Sequence, residues 1–526
     1  MSRLVRAAGL VSIGTLVSRV LGLGRDAVRG TLLGARWLSD AVDVAFKVPN
    51  LLRDLFAEGA FSGAFVPTFT VVRERDGDAA AFTVLNRVLS TLAVYVGGLV
   101  VLLVVFAPAL VRAIAAPSFV QSGYFELTVQ LVRILSPFLL FISLAAAAMG
   151  ALNVFGRFFV PALSPAVQNA LLVCGGLFVY TIAGGGREAA LPWALLLLCG
   201  GLLQFVIQLP ALYREGWRPG FTPDLLLRAP ATRQIVQRMV PVAGGLAAAH
   251  VSVLINTRLA TGDEGGASNL YYAFRLVHLP VGLVGVAVGT ALLAHASREA
   301  ARGNTAGLRA RFGEGLGVGL ALAVPACAGL LALGEPLARL LFLWGEIMTA
   351  QEVAEIGRTI RYYAPAAVFF CLVKVCVPVF YAQGRVRIPV VASLVGVAMN
   401  LACALSLHPS LRWNGLALAV GVGQAANLAV LLWAARRMLG GPAAGLAPRL
   451  GKIVLASAAC GGVAFGLAGV LPGGAGVAER LLRGLVPVAA GAAAYFLAGR
   501  LLRSTEILAL SRIGRRASFD EGAGRS

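Results

Sequence analysis

Charged residues are scarce in this chain. Only 13% of its 526 residues are Asp, Glu, Lys or Arg, whereas 58% are hydrophobic. A soluble globular protein carries about 25% charged residues. The low charge and the mean hydropathy of +0.83 therefore exclude a soluble domain and indicate a polytopic membrane protein. Lysine occurs only at Lys47, Lys374 and Lys452, so the formal net charge of +21 comes almost wholly from arginine.

Most of the arginines lie in short loops between apolar runs. A basic balance can indicate nucleic-acid binding, but here the basic loops alternate with loops of mixed charge. Examples of the basic loops are 214–238, 298–311 and 512–516. The loops of mixed charge include 263–264 and 346–358. This alternation is typical of the positive-inside rule. It predicts an even number of spans, both termini in the cytoplasm and no nucleic-acid partner.

Histidine and cysteine are too few and too scattered for metal chemistry. The chain has four His and seven Cys, with no CxxC pair and no His at metal-ligand spacing. We expect no metal, no cofactor, and cysteines that act as small buried hydrophobes. The sequence also lacks a Walker motif, a Ser/His/Asp set, and paired carboxylates beside a nucleophile. We therefore expect a protein that is not an enzyme.

Long apolar runs dominate instead. A bilayer-spanning helix needs about 20 mostly apolar residues, and fourteen segments meet that description, which predicts an all-α polytopic membrane protein. The predicted spans are 8–33, 38–68, 85–112, 127–152, 160–183, 189–212, 233–260, 268–296, 312–334, 359–382, 388–407, 414–436, 450–471 and 482–502.

An internal repeat divides the spans. Five residues recur at an offset of 228 positions: Arg133, Pro137, Gly156, Arg157 and Pro161 match Arg361, Pro365, Gly384, Arg385 and Pro389. Span four then corresponds to span ten, and an even separation predicts a parallel repeat of six spans. We expect an N-lobe at 1–228, a C-lobe at 229–440, two appended spans at 441–503, and a disordered cytoplasmic tail at 504–526.

Several predicted spans contain charges that lipid would not tolerate. Each ionisable side chain at mid-bilayer costs about 2.5–3.5 kcal/mol on insertion scales. Span two carries a polar stripe, at helical spacing, that we expect to face water inside the protein. The candidate substrate-binding residues from these spans are Arg19, Arg25, Asp26, Asp40, Arg53, Glu58, Arg275 and Lys374; the stripe comprises Asp40, Asp43, Lys47, Asn50, Asp54 and Glu58.

Two interpretations of these charges remain open. In one, they form internal salt bridges, such as Arg25 with Asp40, or snorkel at helix ends. In the other, they line a hydrated cationic pocket between two lobes, where the arginine fork suits phosphate. Since the cations outnumber the nearby acids away from the stripe, we favour a transporter for a phosphate-bearing substrate, with a lipid as one candidate.

Three stretches carry a resemblance to a known family. They are SRVLGLGRDA at 18–27, SDAVDVAFKVPNLLRDLFAEGAFSGAFVP at 39–67 and YYAFRLVHLPVGLVGVAVGT at 271–290. The chain resembles the MurJ (MviN) lipid II flippases, within the superfamily of multidrug and oligosaccharidyl-lipid exporters. The resemblance implies transport of lipid II, an undecaprenyl-pyrophosphate-linked glycopeptide, to the outer leaflet of the bacterial cytoplasmic membrane by alternating access. It also implies a monomer that works beside cell-wall synthesis proteins.

The same resemblance assigns residues. The family's cavity arginines match Arg19, Arg25, Arg53 and Arg275, and its acidic positions match Asp26, Asp40 and Glu58. Spans thirteen and fourteen match a groove that holds the prenyl tail.

This chain departs from the family pattern in span eight. Phe274 and His278 stand where the family often has acids, so we expect a more positive cavity. Spans seven and eleven, at 233–260 and 388–407, contain no Asp or Glu, which argues against a carboxylate sodium site. Two alternatives stay open: an exporter of another polyprenyl-linked glycan or a drug, and a membrane-embedded glycosyltransferase.

Overall fold

The computed structural model describes residues 3–57, 60–440, 446–472 and 476–510. Within these ranges the chain forms α1 to α19, one π-helical turn and a short helical stretch at 505–510, and no strand. The helices are α1 Arg3–Leu33, α2 Trp37–Ala57, α3 Ala60–Val105, α4 Ala107–Ile114, α5 Pro117–Gln121, α6 Phe125–Leu135, α7 Phe138–Val154, α8 Phe159–Ala183, α9 Arg187–Val206, α10 Leu209–Arg214, α11 Pro230–Ala260, α12 Gly266–Pro280, α13 Val286–Ala301, α14 Thr305–Phe342, α15 Ala350–Ala382, α16 Arg387–Leu411, α17 Trp413–Leu439, α18 Leu446–Val470 and α19 Val477–Leu501. The π-helical turn Val281–Gly285 joins α12 to α13.

The described residues of all fourteen predicted spans are largely helical, so the all-α polytopic class is confirmed. Turns divide the predicted spans 85–112, 127–152 and 189–212, at residues 106, 136–137 and 207–208. Predicted span two covers α2 and the start of α3, and residues 58–59 between them lie outside the described part. Helix α3 runs for 46 residues but is interrupted at Gly77, where φ is +84°. Glycine adopts this left-handed region without a Cβ clash. The chain can therefore change direction there, between the residues of spans two and three.

Ten helical segments in the described part of the chain are long and apolar enough to cross a membrane. Helices α1, α2 and α12 fall short of that test, and they carry most of the residues predicted to bind substrate. Lys374 is different, because it lies on α15, which is one of the ten.

The chain divides into two compact units, 1–268 with 341–349, and 269–340 with 350–526. Helix α11 lies in the first unit and packs on α3, although the repeat assigns its sequence to the second lobe. The predicted lipid-tail spans, α18 and α19, lie in the second unit and pack on each other. The lobe boundaries drawn from the repeat stay a prediction.

In the first unit, α1 packs closely on α8 around a buried apolar core. Leu32 and Trp193 are among the largest buried side chains there. A Cβ at Gly176 of α8 would lie 2.5 Å from Val28 Cγ1 and 3.0 Å from the Trp193 ring. Small residues allow membrane helices to approach in this way, since packing rather than hydrophobic transfer holds them together.

In the second unit, glycines likewise allow α16 and α17 to pack closely. A Cβ at Gly396 would lie 2.8 Å from the carbonyl oxygen of Gly423, and a Cβ at Gly423 would lie 2.7 Å from the Cβ of Asn400. The two backbones are therefore in contact, with no room for a side chain at the crossing.

The repeated residues have the same local structure in both halves. Gly156 and Gly384 have φ of +75° and +68° and end their helices. The amide of Arg157 donates to Leu152 O at 2.8 Å, and the amide of Arg385 donates to Phe380 O at 2.9 Å. Both are the six-to-one bonds of a Schellman ending. The offset of 228 positions thus joins structurally equivalent helix ends, which supports the repeat.

Two sequence expectations need correction. Residues 505–510, which we assigned to a disordered tail, are helical, and Ile507 is buried against Gly499; residues 511–526 lie outside the described part. Among the cysteines, Cys174 and Cys199 are exposed rather than buried. In an apolar span an exposed thiol faces lipid as readily as a small hydrophobe does.

The α16–α17 crossing makes a testable prediction. Gly423→Ala places a methyl group into the backbone of α16, and overpacking of this kind costs about 1–3 kcal/mol. We expect a lower thermal unfolding midpoint for purified Gly423→Ala protein. The matched control is Gly421→Ala on the same helix, whose Cβ would meet Ala366 at an ordinary 3.6 Å. Equal midpoints for the two variants would contradict the contact.

Candidate functional site

Arg25 is the best-defined of the predicted cations in the first unit. Its Nη2 lies 2.7 Å from Asp26 Oδ1, and its Nη1 donates to Asn169 Oδ1 at 3.1 Å. The Arg25 side chain keeps 17% of its surface exposed, whereas Asp26 is buried. Asp26 and Asn169 therefore orient the guanidinium, and one edge of the side chain stays accessible.

Asn169 of α8 is a residue that our sequence analysis missed. Its Nδ2 donates to the carbonyl oxygen of Ser18 at 2.9 Å while its Oδ1 accepts from Arg25. One amide thus connects Ser18 and Arg25, which lie two turns apart on α1. An Asn in the middle of an apolar predicted span was a visible signal, because a buried amide requires partners.

The remaining candidates of the first unit are less closely defined. Arg19 follows Ser18 on α1 and is partly exposed, as is Arg53 near the end of α2. Glu58 lies outside the described residues. The structure thus groups Arg25 with Asp26, next to the turn that carries Arg19.

Asp40 is completely buried. Its Oδ2 accepts from the amide of Gly265 at 2.8 Å and its Oδ1 from the amide of Ser268 at 2.7 Å. Gly265 directly precedes α12 and Ser268 lies in its first turn, where a helix leaves unpaired N–H groups and a partial positive charge. Asp40 caps that turn from α2, and its carboxylate is not presented to solvent. The predicted alternative, an ion pair between Arg25 and Asp40, is wrong.

Asp43 forms the ion pair that sequence reasoning did not find. Arg29 Nη1 lies 2.9 Å from Asp43 Oδ1, and Arg29 Nη2 donates to the hydroxyl of Ser39 at 3.0 Å. Both charged side chains are nearly inaccessible, at 5% and 6% exposure. The pair links α1 to α2 inside the protein.

The burial of Asp40 and Asp43 corrects our expectation for the polar stripe of α2. At its first two acidic positions the stripe faces protein partners rather than internal water. The spacing identified a polar face, but it could not say whether other helices cover that face.

In the second unit, Arg275 lies on α12 beside an aromatic cluster. Its Nη2 donates to Tyr271 Oη at 3.2 Å, and its guanidinium lies 4.9 Å from the Tyr271 ring centroid. The side chain is exposed. Phe274 stacks on His278, with ring centroids 3.7 Å apart. Edge contacts join these two rings to α15, with centroid distances of 5.9 Å for Phe274–Tyr363 and 4.6 Å for His278–Phe370. The two positions where the family often has acids thus help to join α12 to α15.

Lys374 lies on α15, next to the same span. A Cβ at Gly289 of α13 would lie 2.5 Å from the carbonyl oxygen of Lys374, and a Cβ at Gly285 would lie 3.3 Å from its Cδ. The glycines leave space for the lysine stem, and Lys374 itself is exposed. The second unit therefore carries two accessible cations, Arg275 and Lys374, on neighbouring packed helices.

In chemical terms, both arrangements suit anion binding. Guanidinium forks pair with phosphate oxygens in two-bond geometry, and each unit presents at least one partly exposed fork held by its neighbours. None of the side chains described here forms a nucleophile–base pair.

Comparison with known proteins identifies a family. The family described as "Lipid II flippase MurJ" matches residues 30–483. A lipid II flippase MurJ of Burkholderia cenocepacia is 34% identical over 437 residues, which cover 82% of this chain and 84% of that protein. A probable lipid II flippase MurJ of Rhizobium meliloti is 34% identical over 467 residues, which cover 86% of this chain and 85% of that protein.

Solved structures agree on the fold. A structure titled "Lipid II flippase MurJ, inward closed conformation" matches 94% of this chain and 98% of its own, with a TM-score of 0.78 and 22% identity. The structure of an inward-facing multidrug transporter of the MATE family covers 82% of this chain and 98% of its own, with a TM-score of 0.67 and 16% identity. The chain is thus a multi-pass membrane protein of a transporter fold.

The buried Arg29–Asp43 pair gives one prediction. Arg29→Met leaves Asp43 buried and uncompensated, which costs about 3–5 kcal/mol, whereas replacing both partners by apolar residues is often neutral. We expect Arg29→Met to lower the unfolding free energy, measured by SDS titration, and Arg29→Met with Asp43→Leu to recover most of it. Asp78→Asn, which breaks an exposed pair with Arg73, is the control and should cost at most about 1 kcal/mol. Additive losses in the double variant would contradict the pairing.

The helix cap formed by Asp40 gives a second prediction. Asp40→Ala removes the acceptor of two buried amides, and each unsatisfied group costs about 1–3 kcal/mol. Hydrogen exchange at 265–268 should rise about tenfold or more. Asp40→Asn keeps one carbonyl acceptor and should give an intermediate rate. Unchanged exchange in both variants would show that Asp40 does not hold this turn.

Proposed function

Because this chain belongs to the lipid II flippase MurJ family, we propose that its internal arginines bind the pyrophosphate of lipid II while the lipid passes from the inner to the outer leaflet. The observation that carries this proposal is the geometry of Arg25. Its guanidinium is oriented by Asp26 and Asn169 and still keeps an accessible edge. A cation deep in the hydrocarbon region is tolerated when it faces a hydrated cavity.

The predicted cationic residues lie in both units of the chain. Arg19, Arg25 and Arg53 belong to the first unit, and Arg275 and Lys374 belong to the second. Glu58, which lies outside the described residues, completes the predicted set. A ligand shifts a conformational equilibrium only through its different affinity for the two states, so a lipid that binds these cations in one state favours that state.

Asp26 and Asp40 take positioning roles in this mechanism. Asp26 is buried and holds Arg25, and Asp40 is buried and caps the first turn of the helix that carries Arg275. Neither carboxylate contacts the pyrophosphate in this proposal, because the two negatively charged groups would repel each other.

The proposed setting is the bacterial inner membrane, with both termini in the cytoplasm and the prenyl tail along α18 and α19. The lipid-tail spans at 441–503 and the six-span lobes belong to this proposal. An inside-negative potential favours outward movement of an anion by about 2.3 kcal/mol per charge per 100 mV fully crossed. The potential therefore suffices to bias the cycle without a sodium site.

The central test is Arg25→Ala. Loss of the oriented guanidinium should reduce outer-leaflet lipid II at least tenfold, since hydrogen bonds to a charged group are worth about 1.5–3 kcal/mol. The measurement is leaflet-resolved lipid II labelling in cells depleted of the native protein. Arg157→Ala is the matched control, because Arg157 is exposed and pairs with Glu215 at 2.6 Å at a helix end.

The outcomes separate the alternatives. Normal lipid II labelling with a folded Arg25→Ala protein would remove this mechanism. Lipid II labelling that is unaffected by depletion, with a different polyprenyl-linked glycan or a drug retained inside, would favour another exporter. Polymer formed from lipid II by the purified protein would favour a glycosyltransferase.

A further inference from the structure

A second arginine cluster lies in the second unit, on residues that the transport site does not use. The end of α14, the start of α15, the end of α18 and the start of α19 surround a cavity of about 200 Å³. Arg339, Arg361 and Arg483 line it together with Glu335 and the ring of Phe465. Three cations thus face one anion in a cavity with an aromatic wall.

The three guanidinium groups differ in how they are held. Arg339 is paired with Glu335, its Nη2 at 2.9 Å from Glu335 Oε1. Arg483 Nε donates to the carbonyl oxygen of Ala468 at 2.9 Å. Arg361 is exposed, and among the described residues it has no hydrogen-bond or ion-pair partner. Two positive charges therefore remain without a carboxylate at this cavity.

The cavity lies near the ends of the predicted membrane spans. Arg361 lies two residues after the start of the span 359–382, and Arg483 lies one residue after the start of the span 482–502. Arg339 lies five residues beyond the end of the span 312–334. Spans of about 20 residues cross the hydrocarbon core, so their ends lie next to the polar headgroup region. In the predicted topology these ends face the outer side.

The internal repeat offers a comparison. Arg133 of α6 is the counterpart of Arg361 at the offset of 228, and its Nε donates to the carbonyl oxygen of Val104 at 3.4 Å. In the first unit the repeated arginine thus donates a hydrogen bond to a backbone carbonyl. In the second unit α18 and α19, which the repeat does not duplicate, form the other wall of the cavity.

We propose that this cavity binds the phosphate headgroup of an anionic lipid in the outer leaflet, with Arg361 and Arg483 as its ligands. Arginine forks match phosphate oxygens. Phe465 is 65% exposed beside them and offers an apolar surface to an acyl chain. The volume is below the roughly 300–1,000 Å³ of pockets that enclose a whole small molecule. It fits a headgroup whose chains stay in the bilayer.

Snorkelling is the simpler explanation for arginines at this depth. It predicts side chains that extend separately toward water. Here a backbone carbonyl holds Arg483 and a carboxylate holds Arg339, so the groups converge on one cavity. The proposal concerns a site apart from Arg25 and Arg275, and its test does not depend on lipid II transport.

The test uses the full-length protein in nanodiscs of phosphatidylcholine with increasing phosphatidylglycerol. Native mass spectrometry and the thermal unfolding midpoint report lipid binding, since a ligand of the folded state raises that midpoint. We expect Arg361→Gln to weaken the apparent affinity for phosphatidylglycerol about tenfold, and Arg483→Gln to act in the same direction. Arg361→Gln removes no internal partner, so its midpoint in phosphatidylcholine alone should equal that of the unmodified protein.

Arg358→Gln is the matched control. Arg358 lies one turn earlier on α15, is exposed and pairs with Glu355 at 3.1 Å. Equal phosphatidylglycerol binding by Arg361→Gln and the unmodified protein would overturn the proposal. An equal loss in Arg358→Gln would also overturn it, because it would indicate general surface attraction. Inorganic pyrophosphate that stabilises the protein in phosphatidylcholine as much as phosphatidylglycerol does would reject the lipid assignment in favour of a free-anion site.

Discussion

Charge in a low-dielectric interior is the constraint on which this structure depends. A charged side chain between membrane helices needs either a partner or water, and the described residues include both arrangements. Arg29 and Asp43 neutralise each other almost without exposure. Arg25 pairs with Asp26 and keeps 17% of its side chain exposed. Asp40 accepts hydrogen bonds from the amides at a helix start. In the first and third arrangements protein groups cover the charge, and in the proposed function the exposed edge of Arg25 is the part that meets the substrate.

Close backbone contact allows these charges to meet. The short side chain of Asn169 on α8 reaches Ser18 and Arg25 on α1 because the two helices approach tightly. Gly22 of α1 lies at this contact, where a Cβ would lie 3.5 Å from Asn169 Nδ2. The α16–α17 crossing in the second unit uses glycine in the same way.

Much of the fold was predictable because hydrophobic spans are a one-dimensional property. The described residues of the fourteen apolar runs are largely helical, and the repeated Gly156 and Gly384 both end helices with positive φ. Local breaks were less predictable. The predicted span 127–152 was taken as continuous, yet a turn at Ser136 and Pro137 separates α6 from α7. The helical start of the tail at 505–510 was also missed, since its order depends on Ile507 packing against Gly499, which sequence composition does not reveal.

The sequence by itself determined the class of the protein, the positions of its unusual charges and its family, because hydropathy, residue identity and the motif at 39–67 are all local. Only the tertiary structure decided what each charge does. Asp40 and Asp43 are three residues apart on one helix, yet one caps a helix and the other pairs with Arg29. Likewise, Arg339, Arg361 and Arg483 are distant in the chain and meet only when four helices pack. The reason is that the free energy of a charge depends on its neighbours in space, and those neighbours come from elsewhere in the sequence.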